Sequence, residues 1–78
     1  MDNSKNAIPR WEKPDGSPVS CTEKIMVLNE NYEELRSMIK DALEDALVLG
    51  CSEKQVRESF HALIDEIQSD IKECQHNP

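Results

Sequence analysis

The sequence predicts an all-α protein, an antiparallel two-helix hairpin carrying an extended or disordered N-terminal arm. Three observations predict it. Apolar residues recur at alternating steps of four and three from Cys21 to Leu49, a period only a helix can use. A second stripe of the same period follows almost at once, from Val56 to Cys74. Between them stands Gly50-Cys51, too short a connection for anything but neighbouring, antiparallel helices.

The arm comes first. Residues 1–19 hold Pro9, Pro14 and Pro18, three of the chain's four prolines, and Gly16, one of its two glycines. Pro14-Asp15-Gly16-Ser17-Pro18 is turn chemistry, with Asp15-Gly16 expected at its centre and prolines opposing helix on both sides. Trp11 and Ile8 are the arm's large apolar groups, with Val19 at its end. The expected domain organisation is therefore an arm over 1–19 and a helical hairpin over 20–78.

The first helix is expected over about 20–49. Ser20 is placed as its N-cap and Glu23 as the reciprocal half of a capping box. Its stripe reads Cys21, Ile25, Leu28, Tyr32, Leu35, Ile39, Ala42, Ala46, Leu49. Gly50 is suited to the left-handed position just past a helix end. Asn29 and Asn31 are weak helix formers, so a break there is one expectation. A helix that runs through is the other.

The second helix is expected over about 52–75, capped by Ser52 with Gln55 completing a second box. Its stripe is Val56, Phe60, Leu63, Ile67, Ile71 and Cys74, with Ile64 widening it. Positions equally far from a turn centred on residue 51 should face each other. The rule pairs Ala46 with Val56, Ala42 with Phe60, Ile39 with Leu63, Leu35 with Ile67, and Leu28 with Cys74. It leaves the turns from Cys21 to Val27 unpaired and sets Met38, Leu43, Leu47 and Ile64 beside the seam. An apolar face wider than its seam calls for another layer. Either the Trp11 arm folds back or a second copy completes a four-helix bundle, and the homodimer is the favoured expectation because so small a core is marginal alone. The architecture resembles dimeric helical hairpins that build such bundles, a likeness that carries no activity.

Composition narrows function. The net charge of −7 comes from 9 basic and 16 acidic residues, and residues 1–19 carry three of each sign, so the excess lies in the helical part. Such a surface repels a phosphate backbone and an anionic leaflet. No stretch approaches the roughly 20 apolar residues of a membrane span, and Met1 to Arg10 lacks the apolar run of a secretory signal. The expectation is a cytoplasmic protein that binds neither nucleic acid nor membrane.

Chemistry-bearing groups are sparse. The three cysteines are odd in number and widely spaced, which favours reduced thiols. Cys21, Cys74 and His76 fall toward one pole of the hairpin but lack a fourth ligand for a closed zinc site. Cys51 precedes the second helix, where the helix dipole favours a thiolate; it is the redox candidate. His61 points off the stripe toward Arg57, Glu58 and Asp65, and no nucleophile stands at a triad's spacing. Paired acids such as Asp41 and Glu44 lie on an outer, solvated face. No enzyme activity, cofactor or metal is expected.

The resulting expectation is a small acidic interaction or adaptor module whose partner is a second copy or another protein. Its candidate partner-binding residues are Trp11, Ile25, Met26, Leu43, Leu47 and Ile64. The alternative is a redox- or metal-responsive regulator using Cys51 or the Cys21, Cys74 and His76 set.

Overall fold

The structure, a computed structural model, describes residues 7–73. It is all-α with two helices, α1 over Thr22–Val48 and α2 over Glu53–Glu66. The described chain divides into two compact units, the first comprising residues 7–34 with Glu73 and the second spanning Leu35–Lys72.

In the first unit the arm is extended and folded on itself. Lys13 N–H donates to the Ser17 carbonyl at 2.8 Å, Gly16 N–H to the Lys13 carbonyl at 2.9 Å, and Val19 N–H to the Trp11 carbonyl at 3.0 Å. Glu12 and Pro18 stand opposite each other in an antiparallel bridge. Pro18 has no N–H, so it sits where the ladder asks for none. Among the described residues every positive φ belongs to glycine, which makes the turn type I with Pro14 and Asp15 at its centre and Gly16, at φ +90°, in the bulge position after it. The centre is thus one residue earlier than expected. Proline's fixed φ suits the first central position, and glycine alone takes the left-handed one comfortably. Asp15 braces the corner by accepting from the Ser17 backbone N–H at 2.9 Å and its hydroxyl at 2.6 Å. Those two hydrogen bonds hold its carboxyl below the usual carboxylate range.

The start of α1 corrects the capping assignment. Cys21, not Ser20, is the N-cap, because its carbonyl accepts the first helical bond from Ile25 N–H at 3.0 Å. The backbone N–H groups of Lys24 and Glu23 favour the Cys21 thiolate. The shift of one position puts Lys24 where a capping box needs a carboxylate. From there α1 runs through residues 29–31 without a break.

The second unit is the hairpin proper. α1 ends in a Schellman motif: Gly50 N–H donates to the Leu47 carbonyl at 3.0 Å and Cys51 N–H to the Ala46 carbonyl at 2.9 Å. Gly50 takes φ +98°, as expected. Ser52 caps α2 in extended conformation, its side chain accepting from Gln55 N–H at 3.2 Å. Gln55 Nε2 donates to Ser59 Oγ at 2.9 Å, one turn further along the helix.

The largest departure is the end of α2. The stripe predicted helix to about residue 75, but the helix stops at Glu66 and Ile67 turns extended, φ −70° and ψ 129°. Ser69 explains where the chain goes. Its hydroxyl accepts from Ile71 N–H at 2.8 Å and donates to the Ile71 carbonyl at 2.7 Å, taking backbone groups that a continuing helix would need. Ile67 and Ile71 consequently leave the stripe, 63% and 82% exposed, and the expected pairing of Leu35 with Ile67 has no helical counterpart. Cys74, expected opposite Leu28, lies outside the described residues.

Val56, at 7% exposure, is the one buried hydrophobic residue among those described. Around it Leu43, Ala46 and Phe60 are half-buried, while Ala42 and Leu49 are exposed. The face of α1 turned inward is therefore rotated from the Ala42–Leu49 line toward Leu43. Leu43 and Phe60 line one groove, and a leucine beside the ring removes more apolar area from water than an alanine would.

Candidate interaction surface

Two apolar surfaces need separate treatment. In the first unit Ile25, Leu28, Asn29 and Tyr32 are half-buried and recur at helical spacing along one face of α1. Trp11 is seated on that stripe. Its indole N–H donates to Asn29 Oδ1 at 2.8 Å, and its ring meets Tyr32 edge-to-face, centroids 5.9 Å apart at 77°, the arrangement aromatic quadrupoles favour. The arm therefore covers part of α1 rather than standing clear. Asn29, which the sequence suggests as a weak point, is the residue that anchors it. The available signal was its place three residues before Tyr32, beside Leu28. Met26 stays exposed on this unit, and Val27 and Leu28 line a shallow apolar depression with the stems of Glu23 and Lys24.

In the second unit Ile39, Leu43, Arg57, Phe60, His61 and Ile64 line an open groove of about 200 Å³. Leu43 and Ile64, both candidate partner-binding residues, share it, and Leu47 stands nearby on the same side of α1. Helices advance about 100° per residue, so the hairpin has two flanks of different character. The groove flank carries Arg36, Lys40, Arg57 and His61, with Lys40 Nζ 3.3 Å from Glu44 Oε2 and Arg57 Nη2 2.8 Å from Glu53 Oε2. The other flank presents Leu35, Met38 and Ala42 from α1 and Ser59 and Leu63 from α2, with Asp45 and Glu66 at its outer edge. Leu35, Met38, Ala42 and Leu63 are all exposed, with Glu34, Asp41 and Asp45 at helical spacing around Met38 and Glu66 one turn from Leu63.

Cys21 and Cys51 are free and exposed. Backbone donation from Lys24, then Glu23, with the nearby Lys24 charge, favours the Cys21 thiolate and lowers its pKa despite opposing desolvation. Cys74 and His76, needed for the Cys21-centred metal candidate, are outside the described residues. Among the described residues no three His, Cys, Asp or Glu side chains gather as a metal set, and no helix is long and apolar enough to cross a membrane.

Comparisons with protein-family models, with curated proteins and with solved structures return no match.

Proposed function

We propose that the chain is a small protein–protein interaction module and not an enzyme, acting through the flank of its hairpin that presents Leu35, Met38, Ala42 and Leu63. The exposure of Leu35, Met38, Ala42 and Leu63 together carries this reading. A chain that buries one valine among its described residues while turning these side chains to solvent has apolar surface better satisfied by another chain. Trp11 contributes by steadying α1 through Asn29 and Tyr32, a role that occupies its indole. The acidic excess fits a protein that avoids nucleic acid and anionic lipid.

The test is affinity capture from native extract with wild-type and Met38→Glu bait, read by mass spectrometry. The proposal expects at least one chain, a second copy included, that wild type retains and Met38→Glu loses. Identical capture by both baits refutes it.

A thiol-based regulator is the second reading, and the lowered pKa of the exposed Cys21 thiol favours it. It expects oxidant and reductant to shift the melting of wild type but not of Cys21→Ser. Melting indifferent to redox state eliminates it.

A further inference from the structure

We infer that Ser17 is a phosphorylation site, and that a phosphate on its hydroxyl frees the Trp11 arm from α1. Ser17 is the chain's single Ser or Thr followed by proline, the local chemistry that proline-directed protein kinases select. Its place in the fold suits it as well. Ser37 and Ser59 lie within helices, Ser52 caps α2, and the Ser69 hydroxyl is bonded to both backbone groups of Ile71. Ser17 instead belongs to the arm, outside both helices. It is half-buried, next to exposed Pro14, Asp15 and Gly16. Short-range backbone bonds close this corner, and segments held that way open locally at small cost, which presents the hydroxyl to a kinase.

The step is a phosphoryl transfer from ATP. Ser17 Oγ bonds to the γ-phosphorus, the bond from that phosphorus to the bridging oxygen breaks, ADP leaves, and the hydroxyl proton passes to the kinase's base. In the unmodified chain that proton is donated to Asp15 Oδ1 at 2.6 Å, and the Ser17 N–H donates to the same oxygen at 2.9 Å. Phosphorylation deletes the first bond and sets a charge of about −1.5 to −2 beside the carboxylate. Lys13 supplies the neighbouring positive charge, one cation against two anions. The phosphorylated side chain therefore swings away and the corner opens. That corner holds the arm's two segments together, Lys13 N–H on the Ser17 carbonyl at 2.8 Å and Val19 N–H on the Trp11 carbonyl at 3.0 Å. Trp11 stands at the end of this ladder. Loosening it costs the placement that seats the indole on Asn29 and against Tyr32, and release turns half-buried Ile25, Leu28 and Tyr32 toward solvent.

The test uses the full chain. Cys21 permits ligation of a synthetic 1–20 segment, phosphorylated on Ser17, to residues 21–78 with no change elsewhere. The phosphate should weaken docking roughly tenfold or more, the scale of a lost hydrogen bond to a charged group. It is read as red-shifted Trp11 emission and increased acrylamide quenching. Asp15→Asn removes the opposing charge, so in that background the phosphate should change emission and quenching little. In parallel, a purified proline-directed kinase with ATP should add one phosphate to wild type and none to Ser17→Ala, located by peptide mapping. Emission unchanged or moved to the blue by the phosphate overturns the inference, since Lys13 would then be tying the phosphate into the closed arm. A kinase that leaves Ser17 unmodified overturns it too, as does a release just as large in the Asp15→Asn background.

Discussion

Trp11 is the chain's single tryptophan, so its fluorescence isolates the docking of the arm on α1. Replacing Asn29 with alanine removes the acceptor of the 2.8 Å indole hydrogen bond and leaves the edge-to-face contact with Tyr32. A neutral hydrogen bond contributes about 1 kcal/mol net, which lowers the docking constant roughly fivefold. Adding Tyr32→Ala removes an aromatic pair worth about 0.5–1.5 kcal/mol beyond its buried area, for a combined loss of roughly 10- to 70-fold. Emission should move to the red and acrylamide quenching should rise in that order, from wild type through Asn29→Ala to the double variant. Trp11→Phe supplies the control on the bond itself. It deletes the donor, so Asn29→Ala should lose much of its effect on melting in that background, and the double-mutant cycle should report a coupling near 1 kcal/mol. Unchanged emission and quenching in Asn29→Ala, or a coupling near zero, would refute the assignment of Asn29 as the anchor of the arm.

The other predictions concern the hairpin and the thiols. Gly50→Ala meets no atom within 4 Å, yet it places a side chain at φ +98° and should cost about 1–2 kcal/mol in denaturant unfolding. Val56→Ala removes two methyl groups from the buried site and should cost about 1.5–3 kcal/mol, whereas alanine at exposed Ile71 should change stability little. Cys21 should alkylate with a pH midpoint below the free-thiol value of 9.0, measured by peptide mapping after timed labelling. The linkage has a definite sign. A depressed folded pKa adds stability that is fully present above the unfolded pKa and lost as pH falls through the folded value. Melting of wild type relative to Cys21→Ser should therefore improve as pH rises toward and past 9.0, and a flat difference would contradict the thiol's role as N-cap.

Local chemistry was legible in the sequence wherever a residue acts on its own backbone or its near neighbours. Gly50 announced the end of α1 because no other residue takes φ +98° comfortably. Ser52 announced α2 because its side chain needs only an N–H three residues on. The same locality made the errors small where they occurred. Cys21 displaced Ser20 by one position because thiol and hydroxyl both accept from exposed helix N–H groups. Pro14-Asp15 displaced Asp15-Gly16 because an Asp-Gly pair fits two turn types of different length. The C-terminal stripe misled for a different reason. Val56, Phe60, Leu63, Ile67, Ile71 and Cys74 keep a helical period, but a period states where side chains would point if the helix continued. The Ser69 hydroxyl bonds at Ile71 take backbone groups that continuation would need.

By itself, then, the sequence determined the hairpin: two amphipathic helices, their order, the glycine between them and the turn-rich arm before them. These follow from period, caps and backbone preference, all of which act within a few residues. The tertiary structure alone decided which faces are covered. It seated Trp11 on Asn29 and Tyr32, rotated the inward line of α1 toward Leu43, and left Leu35, Met38, Ala42 and Leu63 in solvent. Burial is a competition among surfaces distant in the chain, won by whichever pairing removes the most apolar area from water, and a single stripe read along one helix does not record its competitors.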